Sequence, residues 1–296
     1  MRFPVTLPWR NLPETSVSKR ITLATYNIHK GLSPLNRKLV IHEVRDKLHA
    51  LNADIVFLQE VQGAHAGNKS RFANWPDLPQ HEHLAEGRYR DIVYGLNAHH
   101  HHGDHGNAIL STFPVVNWTN QNVSHHRYER RGHLMARIDI PGWSTPLTCV
   151  CVHLGLFQRS RVMQLERLAE FLGDMAKRDS PLVVAGDFND WRAKRSGVSA
   201  RLFRDLGLEE AFELTHGKPA RTFPAFLPML TLDRVYVRGL VVHEARRLQG
   251  TVDGNKWRGL SDHAGLTVTL SRKRPDAHPH PHPEPHPAPR PGHPAE

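Results

Sequence analysis

The sequence contains no run of about 18 apolar residues, the length that a membrane-spanning helix requires. Residues 1–19 carry prolines and charges and lack the apolar segment of a secretory signal peptide. We therefore expect a cytoplasmic protein without a transmembrane segment.

Cysteine is scarce, with 2 residues in a chain of 296. Cys149 and Cys151 lie two positions apart in a predicted strand, a spacing that is poorly suited to a disulfide. Two ligands alone do not build a structural zinc site either. We predict that both cysteines are reduced thiols in the core.

Acidic residues are in deficit: 29 Asp and Glu against 39 Lys and Arg give a formal net charge of +10. The segment after residue 271 contributes little of this excess, so the folded part of the chain carries most of it. A basic surface attracts polyanions such as nucleic acid or anionic lipid headgroups, although charge alone identifies no chemistry.

A single large α/β domain suits a chain of 296 residues that is 39% hydrophobic, because nothing before the C-terminal tail has the composition of a linker. We place this domain at residues 19–271, after an N-terminal extension at residues 1–18. Residues 272–296 are rich in proline and histidine, and much of the segment has proline at alternate positions. Such a segment can form neither a strand ladder nor a core, so we predict a disordered spacer.

A short apolar run, Leu182 to Ala185, predicts a strand that is buried on both faces. Gly186 lets the backbone bend where the run ends, and Asp187 and Asn189 follow two positions apart. In an extended chain these two side chains point the same way and can reach one bound group. A carboxylate beside an amide suits holding and deprotonating a water, although an Asx-type turn explains the same pattern.

Polar side chains stand at the ends of several other predicted strands. We predict strands at residues 21–26, 54–60, 91–96, 107–112, 134–140, 146–153, 231–237 and 266–270, and helices at 39–51, 159–177 and 198–206. The polar residues are Asn27, Glu60, His153, Asp233 and the pair Asp262-His263. Any one of them could be an ordinary exposed strand-end residue, whereas their repetition along the chain favours a common site.

Four adjacent histidines, His99 to His102, lie between two predicted strands. Adjacent imidazoles lack the i, i+4 spacing that brings two helical ligands onto one metal ion. We interpret residues 98–105 as a solvated loop near the rim of the site, with a transition-metal site as the alternative.

Seven short motifs follow one another along the chain: Thr25-Tyr26-Asn27-Ile28, Leu58-Gln59-Glu60, Gly106-Asn107-Ala108-Ile109-Leu110-Ser111, Val152-His153-Leu154, Gly186-Asp187-Phe188-Asn189, Leu232-Asp233-Arg234 and Ser261-Asp262-His263. In this order they resemble the endonuclease/exonuclease/phosphatase superfamily, which includes DNase I-like nucleases, exonuclease III-like repair enzymes, sphingomyelinases and inositol polyphosphate 5-phosphatases. The whole sequence resembles an uncharacterised bacterial branch most closely. The resemblance implies a DNase I-like four-layer α/β sandwich, in which two packed mixed β-sheets are flanked by helices.

The resemblance also implies a metal site and a substrate-binding site. Glu60 would be the main Mg²⁺ ligand, with Asn27 and Asp262 nearby, because Mg²⁺ accepts hard oxygen ligands and few protein contacts. Mn²⁺ would be a substitute. Arg131 and Asn107 would contact the substrate, Arg131 at the position where DNase I-like members carry a phosphate-contacting arginine.

The implied catalytic residues come from the strand ends. Asp187 and Asn189 would place the attacking water and the phosphate oxygens. His263, oriented by Asp233, would contact the scissile phosphate. His153 would protonate the leaving oxygen from the other side, and a histidine there resembles the DNase I-like and sphingomyelinase-like branches.

Three functions are compatible with this pattern. A metal-dependent nuclease, acting as endonuclease or exonuclease, comes first, because the basic domain favours nucleic acid as the phosphodiester. A phosphodiesterase or phosphatase that acts on a phospholipid or an inositol-phosphate-like headgroup, with peripheral contact to anionic lipid, comes second. A non-catalytic phosphate-binding protein comes last, since every implied catalytic position holds a competent residue. We expect a monomer.

Overall fold

The structure is a computed structural model that describes residues 19–100, 103–125, 129–175, 180–191 and 198–273. The predicted N-terminal extension and nearly all of the predicted tail lie outside these residues, so the domain boundaries stay predictions. None of the helices in the described ranges is long and apolar enough to cross a membrane.

The described residues contain both strands and helices. In chain order the strands are β1 (Ile21–Asn27), β2 (Ile55–His65), β3 (Asp91–His100), β4 (Gly103–Ser111), β5 (Val115–Asn122), β6 (Gly132–Ile138), β7 (Leu147–His153), β8 (Leu182–Asp187), β9 (Glu209–Glu210), β10 (Asp233–Arg238), β11 (Leu240–Leu248), β12 (Thr251–Val252), β13 (Asn255–Lys256) and β14 (Gly265–Arg272). The helices are α1 (Ile41–Ala50), α2 (Ala66–Arg71), α3 (Gln80–Ala85), α4 (Gln158–Met175), α5 (Val198–Asp205) and α6 (Ala211–His216).

Two mixed sheets pack face to face. The first has the strand order β11-β14-β1-β2-β4-β3 and the second has the order β5-β6-β7-β8-β10-β9. Parallel pairing joins β1 to β2 in the first sheet and β7 to β8 in the second. Buried side chains of both sheets, among them Leu23, Ile109, Val183 and Val235, form one core between them.

Helices cover the outer faces of the two sheets. α1 buries Ile41, Val44 and Leu48 in a cluster with side chains of the first sheet. α4 places Leu165, Leu168 and Leu172 in a cluster with the second sheet. Residues spaced three or four apart form one apolar stripe on a helix, which is why each helix buries a single face. The layers confirm the predicted four-layer α/β sandwich.

β2 does not end at Glu60, where the predicted strand ended, but continues to His65. Its pairing with β4 shifts register between Leu58 and Val61, so the strand carries a bulge there. Glu60 lies in this bulge with a φ of 56°, a conformation that costs a non-glycine residue about 1–3 kcal/mol. Bulges redirect side chains and are common beside active sites, so Glu60 is placed by an irregularity of the strand.

The histidine-rich segment is not the loop that we predicted. β3 extends through His100 and β4 begins at Gly103, and the two strands pair His99 with Asp104. His101 and His102 lie outside the described residues. The prediction was wrong because backbone pairing at an exposed edge of a sheet does not require apolar side chains.

Both cysteines are buried free thiols, as predicted. Burial raises the pKa of Cys151 to about 12, although Gln59 Nε2 donates to its Sγ at 3.2 Å. Burial also raises the pKa of Cys149. Neither thiol is ionised at neutral pH.

A buried histidine in β6 makes stability depend on pH. His133 is fully buried, and neither ring nitrogen has a hydrogen-bond partner in the described part of the chain. Burial, with a smaller effect of Arg167, lowers the pKa of His133 to about 3. The unfolded chain binds the proton near pH ~6.5, so stability is retained above that pH and is lost as the pH falls toward 3.

We expect the free energy of unfolding to fall by up to about 2 kcal/mol between pH 7 and pH 5 because of this histidine. Urea unfolding of His133→Leu at the two pH values should lack that part of the change. His99→Leu, on the exposed edge strand, is the control. The same pH dependence in His133→Leu as in the wild type would contradict the assignment.

Candidate active site

Four buried side chains, Asp187, Asp233, His153 and His263, form what we call the acid–histidine cluster. Parallel β7 and β8 pair His153 with Asp187, and antiparallel β10 pairs Asp233 with Asp187. The strand register therefore places one imidazole and two carboxylates in a row. Gly186 is required before Asp187, because its φ is 144° and a Cβ there would lie 2.0 Å from a backbone oxygen.

His263 joins the cluster from the segment that precedes β14. Its Nδ1 lies 2.8 Å from Asp233 Oδ2, and its Nε2 lies 3.8 Å from Asp187 Oδ2. The Ser261 hydroxyl accepts from the His263 N–H at 3.1 Å, and the Thr222 hydroxyl accepts from the Asp233 N–H at 3.1 Å. Burial alone would lower the pKa of His263, but the two carboxylates raise it to about 10. The ring is therefore a cation at neutral pH.

Asp187 is the centre of the cluster. Its Oδ2 accepts from the Asn27 amide at 3.1 Å and lies 3.6 Å from His153 Nε2. Its Oδ1 accepts from the Asn189 N–H at 2.9 Å. Burial raises the pKa of Asp187 to about 7, although the charge of His263 opposes the rise. A carboxylate that titrates near neutral pH can take up and release a proton during a reaction.

The two imidazoles differ in charge. Burial lowers the pKa of His153 well below its ordinary value, and the nearby charges of Arg131 and His263 add to the shift. His153 is thus neutral at neutral pH in the free protein, whereas His263 is cationic. The general-acid role implied for His153 requires a proton, and an anionic phosphate beside the ring would favour the protonated form.

Asn27 connects the two sheets at the site. It ends β1 of the first sheet, and its Nδ2 donates to Asp187 of the second sheet and, at 3.3 Å, to Glu60 Oε1. Its Oδ1 accepts from the His29 N–H at 3.1 Å. With its nitrogen toward Glu60, Asn27 orients that carboxylate. To ligate a cation through oxygen, the Asn27 amide would have to turn over and lose the His29 contact.

Glu60 and Asp262 form the more exposed part of the site, with side chains 21% and 30% exposed. Lys30 Nζ lies 4.0 Å from Glu60, and His29 Nδ1 lies 3.2 Å from Asp262. Burial alone would raise the pKa of Asp262, but the His29 hydrogen bond and the His263 charge hold it below its ordinary value. An ionised, accessible carboxylate is a hard oxygen ligand, so these residues fit a divalent cation such as Mg²⁺.

A second set of candidate ligands lies deeper in the site. One ligand atom each from Asp187, Asp233 and His263 lies within 4.8 Å of the others, and all three residues are buried. This group could hold a metal ion. The 2.8 Å contact of His263 with Asp233 is already an ion pair, which by itself accounts for their proximity.

Arg131 and Asn107, which the resemblance assigns to substrate binding, make contacts within the protein. Arg131 Nε donates to the Leu154 carbonyl at 3.3 Å, and its Nη2 lies 3.7 Å from Glu129. Asn107 is fully buried, and its Nδ2 donates to the Gly132 carbonyl at 3.1 Å. Both side chains support the chain around the cluster, and direct contact with substrate stays a prediction for them.

Three supporting residues were not found from the sequence, His29, Lys30 and Thr222, and a fourth, Ser261, was named in a motif without a role. His29 and Lys30 each stand beside a carboxylate, and the two hydroxyls anchor the Asp233 and His263 backbones. Two basic residues directly after the first strand end were a usable signal. Thr222 gave no signal, since a threonine that lies well before β10 in the sequence cannot be distinguished from any other loop residue.

Two facing mixed sheets whose strand ends carry carboxylates, amides and a pair of imidazoles define a DNase I-like α/β sandwich of the kind found in phosphoester hydrolases. The chain belongs to the Endonuclease/Exonuclease/phosphatase family, whose model matches residues 24–263.

One curated protein and two solved structures illustrate what the chain is similar to. The "Uncharacterized protein YbhP" of Escherichia coli (strain K12) is 40% identical over 259 residues, which are 88% of this chain and 99% of that protein. An endonuclease/exonuclease/phosphatase from Beutenbergia cavernae has a similar fold, with a TM-score of 0.63 at 20% identity over 86% of this chain and 72% of that one. D. rerio TDP2, complexed with a single-strand DNA product, has a TM-score of 0.58 at 15% identity over 85% of this chain and 99% of that one.

Proposed function

We propose that the protein is a metal-dependent hydrolase of phosphodiesters that uses the acid–histidine cluster. The observation that supports this most is the environment of Asp187. Its buried Oδ2 lies within 4 Å of two imidazoles, the neutral ring of His153 and the cationic ring of His263. Such an arrangement costs stability, because burial disfavours the carboxylate charge. A role in proton transfer would explain why the carboxylate is buried despite this cost.

The protein's own groups divide the hydrolysis between them. Asp187 is placed by its contacts with Asn27 and Asn189. It takes a proton from a water molecule while the oxygen of that water bonds to phosphorus. The His263 cation, held by Asp233, stabilises the negative charge that grows on the phosphate oxygens. As the ester P–O bond breaks, protonated His153 gives its proton to the leaving oxygen.

We assign the cation to Glu60 and Asp262, because both are carboxylates with accessible side chains. When bound there, Mg²⁺ or Mn²⁺ would supply positive charge to the phosphate oxygens. Lys30 and His29 would hold the two carboxylates in place before it binds. The expected monomeric state and cytoplasmic location stay predictions.

Nucleic acid, which the basic composition of the sequence favours, is one of two candidate substrates. The net charge of +10 favours a polyanion, and D. rerio TDP2, which shares the fold, has been crystallised with a single-strand DNA product. A phospholipid is the second candidate, supported by the exposed apolar side chains Phe157 and Phe226 near the site.

A panel of substrates tests the proposal. The full chain should hydrolyse the soluble diester bis(p-nitrophenyl) phosphate with Mg²⁺ or Mn²⁺. It should hydrolyse one of the natural substrates much faster, and the panel contains plasmid DNA, single-stranded DNA, RNA, phospholipid vesicles and inositol phosphates. The Asp187→Asn variant should lose at least about a hundred-fold in turnover on each, the typical value of a general base. Asp139→Asn, an exposed carboxylate outside the site, is the control. Equal turnover by wild type and Asp187→Asn would refute the proposed mechanism.

A further inference from the structure

Several large exposed apolar side chains lie close in sequence to the residues of the candidate site. We define the apolar rim as Leu35, Phe157, Trp191, Phe226, Leu227 and Met229, all of which are exposed. Leu35 and Phe226 are the extremes, at 74% and 76% exposure. A single exposed apolar residue is ordinary, but a group of them around a functional site marks a surface that contacts something apolar.

The strand ends that build the site also place the apolar rim. Phe157 follows His153 after a short turn, and Trp191 follows Asp187 in the same way. Phe226 and Leu227 lie in the turn between the bridge partners Phe223 and Leu230, just ahead of β10. Rim residues therefore follow two of the strands that carry cluster residues, β7 and β8, and precede a third, β10.

A cavity of about 1060 Å³ connects one side of the rim to the proposed cation site. Its walls include Leu35, Phe226 and Trp257, and it reaches His29 and Asp262. Small-molecule sites of about 300–1,000 Å³ with mostly apolar walls bury most of a ligand's surface. The cavity is thus large enough for a bulky apolar group that is joined to a phosphate at the cation site.

Basic side chains accompany the apolar rim. Arg37 and Lys38 follow Leu35, Arg159 follows Phe157, and Arg258 lines the cavity; all four are exposed. A surface that combines basic and large apolar side chains suits an anionic membrane. The basic groups contact the headgroups there, and the apolar groups insert at the boundary between headgroups and acyl chains. Duplex DNA offers aliphatic side chains such as Leu227 and Met229 less apolar surface than a bilayer does, mainly thymine methyl groups and unstacked base steps.

We propose that this end of the molecule docks on a bilayer containing anionic phospholipid, and that the substrate is a phospholipid. Its phosphodiester reaches the acid–histidine cluster while its acyl chains contact the cavity and the rim. This inference rests on the proposed function, because it names the substrate class for the same hydrolysis. Water adds to the headgroup phosphorus, and one ester P–O bond breaks to release an alcohol.

Vesicle sedimentation tests the docking. The full chain should bind vesicles of equal phosphatidylcholine and phosphatidylglycerol, and bind less to pure phosphatidylcholine or in high salt. The double variant Phe226→Ser/Leu227→Ser should lose at least about ten-fold in partitioning, because each side chain contributes about 1.5–3 kcal/mol when buried. Leu35→Ser, a change at another residue that lines the cavity, should lower vesicle partitioning several-fold. Trp118→Ser is the matched control, an exposed aromatic on the edge strand β5.

Soluble and vesicle substrates distinguish failure of the docking proposal from failure of the proposed function. With bis(p-nitrophenyl) phosphate as the soluble diester, the ratio of phospholipid to soluble turnover should fall at least about ten-fold in the double variant and stay constant in Trp118→Ser. Unchanged vesicle binding in both rim variants would overturn the docking proposal. Loss of affinity for single-stranded oligonucleotide, with vesicle binding absent throughout, would reassign the rim to nucleobases. Absence of soluble diester hydrolysis would instead refute the proposed function.

Discussion

Glu60→Gln should lower diester turnover by at least about a thousand-fold, while the free energy of unfolding changes little. The variant keeps the shape of the side chain and its Asn27 contact but removes the charge that would hold the cation, and metal charge stabilisation is worth several kcal/mol at the transition state. Glu60 is part-exposed and its backbone already has a positive φ, so glutamine adds no new strain.

The measurement is turnover against Mg²⁺ concentration, together with urea unfolding of both proteins. Glu244→Gln is a suitable control, because Glu244 is an exposed carboxylate on β11 beside Arg246. Direct metal titration by calorimetry should show weakened Mg²⁺ binding in Glu60→Gln only. Full turnover of Glu60→Gln in limiting Mg²⁺ would move the cation to the buried group of Asp187, Asp233 and His263.

His153→Ala and His263→Ala should each lose at least about a hundred-fold in turnover, and the double variant should lose much less than the product of the two. The reason differs for each ring. In the proposed mechanism the His263 cation stabilises the phosphate, so its loss should affect good and poor leaving groups alike. His153 would protonate the leaving oxygen, so nitrophenolate, which needs no proton, should restore much of the activity of His153→Ala.

A comparison of nitrophenyl and alkyl phosphodiesters separates these roles. The His153→Ala deficit should shrink on the nitrophenyl ester, while the His263→Ala deficit should not. His216→Ala, a histidine of α6 outside the site, serves as control. An equally deep loss of His153→Ala on both esters would eliminate the acid role. A lower melting temperature without loss of turnover would make His153 a packing residue.

The sequence was sufficient for those parts of the fold that depend on buried, periodic side chains. β8 is a fully buried apolar run, and α4 has an apolar stripe, so both were predicted close to their observed bounds. β5 and β11 were missed. Each is an edge strand whose exposed side chains hide the alternation of a strand.

The sequence motifs could identify residues of the candidate site and the pairing of Asp233 with His263, but not the other contacts of these residues. The order of the motifs placed Asp187, Asp233 and His263 in one cluster, and the structure brings them together. The charge difference between His153 and His263 depends on burial and on neighbours distant in sequence, such as Arg131. The bulge at Glu60 arises from strand register, which no local pattern specifies.

We propose that this chain hydrolyses phosphodiesters by means of a divalent cation and the acid–histidine cluster. Turnover of bis(p-nitrophenyl) phosphate by the purified full chain, after removal of metal with a chelator and again after addition of Mg²⁺ or Mn²⁺, tests it most directly. We predict no turnover without metal, recovery with metal, and at least about a hundred-fold less in His263→Ala purified in parallel. Turnover that persists in chelator, or that is equal in wild type and His263→Ala, would contradict the claim.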